Sequence, residues 1–158
     1  MQRELAWAGL VARLVTGAVW LVAGALKITE PDASIAAVRA YQLLPSDVAR
    51  AVGVALPAVE VVVGLALVVG AFTRGAAVLS ALLQAAFIVG IVSVWARGIE
   101  IDCGCFGGGG AEAGAASSYP WDVARDTLLL AASVLVAVVR RTRLALDSVL
   151  FPGTKEHP

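Results

Sequence analysis

The sequence predicts an all-α integral membrane protein: a bundle of four spanning helices with a short interfacial helix after the first span. Three observations predict it. Apolar residues make up 59% of the chain, and the mean hydropathy of +0.86 is too high for an ordinary soluble domain. They are segregated into blocks close to the roughly 20 residues that, at about 1.5 Å each, cross a hydrocarbon core of about 30 Å. Charge is almost absent inside the blocks. The 158 residues suffice for one domain, residues 1–158, and not for two. Twelve Lys and Arg offset twelve Asp and Glu, so no global charge points to nucleic acid or to acidic substrates.

The first span is expected over residues 5–27, where Arg13 is the only charge before Lys27. A cleaved leader fits poorly, because Arg13 interrupts the apolar region and Lys27 stands where small residues should precede a cleavage site. Gly9, Arg13, Gly17, Trp20, Gly24 and Lys27 recur at intervals of three or four, which puts them on one helical face. Small residues at this spacing let a second helix approach closely. After it, Ser34, Ile35, Val38, Tyr41 and Leu44 would form the apolar side of a short interfacial helix that Pro45 ends.

The second span, residues 50–72, presents Gly53, Pro57, Glu60 and Gly64 on one face, so the two small-residue faces are expected to pack antiparallel. Pro57 would kink the helix and free a carbonyl, which is tolerable only inside the bundle. Glu60 lies mid-span, where a bare carboxylate is costly, so it should be paired or protonated. Counted from the expected helix ends, Arg13 lies about 12 Å deep and Glu60 about 18 Å, which makes Arg13 the nearer partner and Lys27 the farther. Either the pair is structural, or Glu60 and a basic residue line a cavity for a quinone or a proton path. The third span, residues 75–97, has no charge before Arg97, and its Ser80 and Gln84 are expected to hydrogen-bond between helices. The fourth, residues 121–140, opens with Trp121, Asp122, Arg125 and Asp126. Here either the charges form a surface ion network, or Arg125 reaches the preceding loop, where a cation would lower a thiol pKa.

That loop, residues 98–120, holds the only two cysteines, Cys103 and Cys105, separated by Gly104. Cysteines two residues apart can close a small ring, and Gly104 supplies the backbone freedom to approach disulfide geometry. A bridge so short removes little chain entropy, and residual strain makes it easily reduced, so exchange is favoured over stapling. Soft-metal handling is the rival reading, but no His, Met or third Cys stands nearby to complete a site. Gly107 to Gly110 lacks the flanking Lys-Ser/Thr of a nucleotide cradle, and His157 is alone in a polar tail. With no cysteine elsewhere, electrons must enter and leave at this loop or pass through a bound cofactor such as a quinone.

Orientation follows from the basic residues near the helix ends. Arg3, Arg74, Arg140, Arg141 and Arg143 would share one side, while Lys27, Arg39 and Arg97 on the other are diluted by acidic residues. Both termini are therefore expected in the cytoplasm and the cysteine loop outside it, where disulfides persist.

An ordered set of motifs runs along nearly the whole chain: Gly24-Ala-Leu-Lys27 then Pro31, Tyr41 with Leu43-Leu-Pro45, and Leu56-Pro57 with Glu60 and Gly64. Arg97-Gly98, Cys103-Gly-Cys-Phe-Gly107, and Trp121 with Arg125-Asp126 complete it. In these the chain resembles the MauE/DoxX-like membrane proteins, especially the MauE branch associated with methylamine utilisation. The resemblance implies a four-helix bundle in the bacterial cytoplasmic membrane. It further implies a role, with a thioredoxin-like partner, in maturing disulfide-rich exported proteins such as the small subunit of methylamine dehydrogenase. The expectation is thus a membrane thiol–disulfide oxidoreductase acting through Cys103 and Cys105. Glu60, Arg13, Lys27, Arg97, Arg125, Asp126 and Trp121 would support them, and the contacts are lipid and a protein partner. A non-enzymatic assembly subunit or a soft-metal carrier are the alternatives.

Overall fold

The computed structural model describes residues 2–139 and residue 146, with side chains from residue 4 onward. The terminal basic cluster Arg140, Arg141 and Arg143, on which the expected orientation turns, lies outside the described residues, as does His157. The elements are α1 (Gln2–Thr29), α2 (Pro31–Ala40), α3 (Ser46–Val69) and α4 (Thr73–Ala96), then a hairpin of β1 (Ile101–Asp102) and β2 (Gly110–Ala111). A 3-10 turn (Ala115–Ser117) leads into α5 (Tyr119–Val138). Among the described residues three helices, Glu4–Thr29, Ser46–Val69 and Thr73–Ala96, are long and apolar enough to cross a membrane. Valines and leucines stay exposed along them, among them Val11, Val15, Val62, Leu65, Leu82 and Val89, as on a lipid-facing surface. This is a helical membrane protein.

Four helices share one core, in which Trp20 of α1, Val63 and Leu67 of α3, Ala76 and Ala77 of α4 and Val136 of α5 interlock. Trp20 Nε1 donates to Ser80 Oγ at 2.7 Å, and Ser80 lies 2.8 Å from Ser133 Oγ, so one serine of α4 ties α1 to α5. Gln84, also expected to hydrogen-bond between helices, is buried there, but its Oε1 has no hydrogen-bond partner among the described residues. The expected antiparallel contact of small residues is present. A Cβ on Gly17 would stand 3.0 Å from the Gly64 carbonyl oxygen, and one on Gly24 would stand 2.8 Å from that of Pro57. Gly53 departs from the expected face, because its neighbour is Ile35 of α2.

This register corrects the choice of partner for Glu60. Gly17 against Gly64 and Gly24 against Pro57 set Glu60 level with the residues just before Gly24. Both contacts equate Glu60 with Leu21, so Lys27 lies six residues, about 9 Å, toward one end and Arg13 eight residues, about 12 Å, toward the other. Side chains lean toward their own helix's N-terminus, which brings Lys27 and Glu60 together and turns Arg13 away. Lys27 Nζ donates to Glu60 Oε1 at 2.5 Å. Counting from helix ends misled because it took the start of α1 and the end of α3 as level, whereas this register sets Val69, the last residue of α3, beside Ala12 of α1.

Pro57 lies inside α3 and lacks the N–H that would bond the carbonyl four residues back, which is that of Gly53. Ser34 Oγ of α2 donates to that carbonyl at 2.8 Å. The first helix-to-helix connection is therefore a packed cap on α3, and it is shorter than expected. It ends at Ala40, Gln42 turns the chain at a φ of 52°, and Leu44 is 43% exposed rather than on an apolar side. A second departure is the hairpin, which pairs Ile101 with Ala111 and Asp102 with Gly110 in a loop where no strand was expected.

Candidate functional site

The cysteine loop is held against the bundle by tyrosines at either side. Tyr119, buried at the start of α5, accepts from the Ile101 amide at 2.8 Å and faces the Ile99 and Ile101 carbonyls at 2.9 and 3.2 Å. Tyr41, just past α2, donates to the Cys103 carbonyl at 3.0 Å. Burial, reinforced by the nearby Cys105 and Cys103 sulfurs, raises the Tyr41 phenol far above its ordinary range and keeps it a donor. The Arg97 guanidinium bonds the Tyr41 carbonyl, and its Nε donates to Ser93 at 3.1 Å, so Arg97 braces Tyr41 instead of facing a thiol.

Glycine is required where the loop meets α2. Gly104 has a φ of +67°, and a Cβ there would stand 2.6 Å from the Ala37 Cβ; Gly109 approaches the same alanine still more closely. Only glycine combines that left-handed backbone with that proximity. Asp102 Oδ1 accepts the Gly104 amide at 2.9 Å, closing the turn between the two cysteines.

Both cysteines are free thiols, and they are not equivalent. The Cys105 thiol and backbone N–H both donate to the Cys103 sulfur, and this lowers the Cys103 pKa despite burial. Being the donor to Cys103, and then being buried, pushes Cys105 well above the ordinary thiol range. Arg125 favours the thiolate at both sulfurs, while Asp122 opposes it at Cys103 and Asp126 at Cys105. Arg125 itself lies 5.1 Å from the centre of the Phe106 ring and is clamped by Asp122 Oδ1 at 2.9 Å and Asp126 Oδ1 at 3.0 Å. The two readings of these α5 charges are thus parts of one arrangement: an ion network that carries Arg125 to the loop.

Above the sulfurs opens a recess of about 470 Å³, lined among others by Asp102, Cys103, Cys105, Glu112, Asp122 and Arg125. Below them are two much smaller cavities. One, about 40 Å³, joins both cysteines to Lys27, Tyr41 and Phe87; the other, about 20 Å³, joins Cys105 to Gln84, Arg125 and Asp126. The structure thus brings Cys103, Cys105, Arg125 and Asp126 together, with Lys27 and its partner Glu60 beneath. Arg97 acts at one remove, and Arg13 is buried far down α1. Trp121 is 72% exposed and stands outside the cluster. Among the described residues no group of three or more His, Cys, Asp or Glu converges as metal ligands would. Tyr119, Ala37 and Asp102 as an amide acceptor escaped the sequence reading. Only the positions of Tyr119 beside Trp121 and of Asp102 beside Cys103 could have hinted at them.

No solved structure matches the chain. The methylamine utilization protein MauE of Paracoccus denitrificans is 32% identical over 110 residues, which are 69% of this chain and 58% of that relative. The matched stretch therefore spans less than two thirds of the relative's length. The family described as methylamine utilisation protein MauE matches residues 5–139, from the first turns of α1 to the end of α5, with the cysteine loop inside the matched stretch. The chain belongs to the MauE family.

Proposed function

We propose that this protein is a membrane thiol–disulfide oxidoreductase whose Cys103–Cys105 pair exchanges electrons with a thioredoxin-like partner on the extracytoplasmic side of a bacterial cytoplasmic membrane. The exchange would serve the maturation of disulfide-rich exported proteins. The observation that carries this reading is the inequality of the two thiols. Exchange needs one sulfur present as thiolate and reachable, and a second that waits protonated until a mixed disulfide has formed. Both sulfurs line the recess; Cys103, whose pKa is lowered, suits the first role, and Cys105, whose pKa is raised, suits the second.

The recess supports a protein partner over a quinone as the immediate redox partner. Cavities of about 40 and 20 Å³ next to the sulfurs hold water-sized groups, whereas the recess of about 470 Å³ admits the tip of a polypeptide loop carrying a disulfide. In this reading α5 is a fourth span, the termini are cytoplasmic, and the Lys27–Glu60 pair is the structural clamp between α1 and α3.

Cys105→Ser should trap a mixed disulfide through Cys103 with a thioredoxin-like protein, visible by non-reducing electrophoresis and mass spectrometry; Cys103→Ser should trap none. Equal trapping by both variants would reverse or abolish the assigned roles. If the double variant still supports maturation of exported disulfide proteins, the protein is an assembly subunit and not an oxidoreductase.

A further inference from the structure

We propose that Asp126 is the proton acceptor for Cys105, acting through a single water held in the cavity these two residues share with Gln84 and Arg125. This rests on the exchange reading above and adds the step that reading lacks: how a buried thiol sheds its proton. The cavity, about 20 Å³, is large enough for one water and too small for more. Its walls supply polar atoms that have no other use. Asp126 is 3% exposed and Gln84 2%, and among the described residues Asp126 Oδ2, Gln84 Oε1 and Arg125 Nη2 are buried without a hydrogen-bond partner. A water there would donate to the two oxygens and accept from the guanidinium or the Cys105 thiol, which gives it the two to four partners a buried water requires. The other Asp126 oxygen is held by Arg125 Nε, which orients the carboxylate.

The exchange then balances. Cys103 thiolate attacks one sulfur of the partner disulfide; a Cys103–partner disulfide forms and the partner's other sulfur leaves as thiolate. Cys105 loses its proton through the water to the Asp126 carboxylate. The Cys105 thiolate attacks Cys103 Sγ, the Cys103–Cys105 bond forms, and the second partner sulfur leaves as thiolate. Two electrons pass from the protein to the partner. In reverse, Asp126 returns the proton as Cys105 departs, so the same residue serves either direction of flow.

Several charged groups surround Cys105, and the carboxylate of Asp126 is the one suited to take a proton from it. Of the carboxylates in the recess, Asp102 accepts the Gly104 amide, Asp122 is bonded through both oxygens to Arg125 and Ser118, and Glu112 is exposed. Lys27 of α1 is committed to Glu60 of α3, Tyr41 beyond α2 is itself a donor, and Arg125 is a cation. Cys103 is consumed in the mixed disulfide, and α4 presents only Gln84 and Phe87.

The test uses the full chain in lipid nanodiscs, reduced, with the aromatic disulfide dithiobis(nitrobenzoate) as probe. The first coloured thiolate reports attack by Cys103, and the second reports attack by Cys105. In Asp126→Asn the first release should be unchanged at neutral pH. The second should slow about a hundredfold, a typical general-base contribution, and should rise with every step in pH where the parent protein has levelled off. Equal second phases in parent and variant would overturn the proposal while leaving the exchange reading intact. Absence of a first phase in the parent would overturn the exchange reading and this one with it. Should Asp126→Asn fail to assemble or slow both phases alike, Gln84→Leu decides: it removes a water partner without changing charge. A slower second phase alone supports the relay, and an unchanged one overturns it.

Discussion

Cys103 and Cys105 are identical in chemistry and separated by one residue, yet their surroundings push their pKa values apart, Cys103 down and Cys105 up. The chief cause is their mutual hydrogen bond, with Cys105 as donor, which favours the charged form of Cys103 and the protonated form of Cys105. Alkylation measures this split, because only the thiolate reacts. As pH rises, Cys103 should reach half its limiting iodoacetamide rate below the ordinary cysteine value of about 8.5. In Cys105→Ala the donor thiol is gone, so the midpoint should move upward and the rate at neutral pH should fall severalfold. A midpoint that stays put would assign the lowered pKa to the Cys105 amide and Arg125 instead. The nearness of the two cysteines was legible from the sequence alone. Which sulfur carries the proton was not, because that depends on how Gly104 turns the chain and where Asp102 anchors it.

The helix α3 carries a defect that another element repairs. Pro57 frees the Gly53 carbonyl inside α3, and Ser34 supplies the missing donor. Ser34→Ala should therefore leave a buried carbonyl unsatisfied and cost about 1–3 kcal/mol. In a Pro57→Ala background the restored amide serves that carbonyl, so the same substitution should cost much less. Equilibrium unfolding of the four variants in detergent micelles reads the coupling directly. Additive losses would mean that the serine and the proline act independently. The need for a repair was readable from a proline in an apolar block. Its agent was not, because Ser34 precedes Gly53 by nineteen residues and lies on a helix whose end the apolar pattern misplaced by several residues. Glycines at the α1–α3 contact were better signalled: spacing by three and four is local, and Gly17, Gly24 and Gly64 lie where it put them.

At the scale of the whole molecule, antiparallel packing of α1 on α3 and of α4 against α5 gathers α2 and the cysteine loop at one end of the bundle, with Ala37 seated between Gly104 and Gly109. That end is the proposed outer face. A membrane-impermeant maleimide added to intact cells should label Cys103, and added outside inverted vesicles, where it meets only the cytoplasmic face, should not; the opposite pattern would invert the orientation. The sequence by itself determined the membrane class, three apolar spans, the small-residue contact and the adjacency of the two cysteines. All of these depend on block length, helical spacing or adjacency, which are local. Only the tertiary structure decided that Lys27 and not Arg13 meets Glu60, that Arg97 braces Tyr41, that Trp121 stands aside, and that Asp126 shares a cavity with Cys105. Those outcomes depend on helix register, where a slip of one turn moves a side chain by about 5.4 Å, more than the reach of a hydrogen bond.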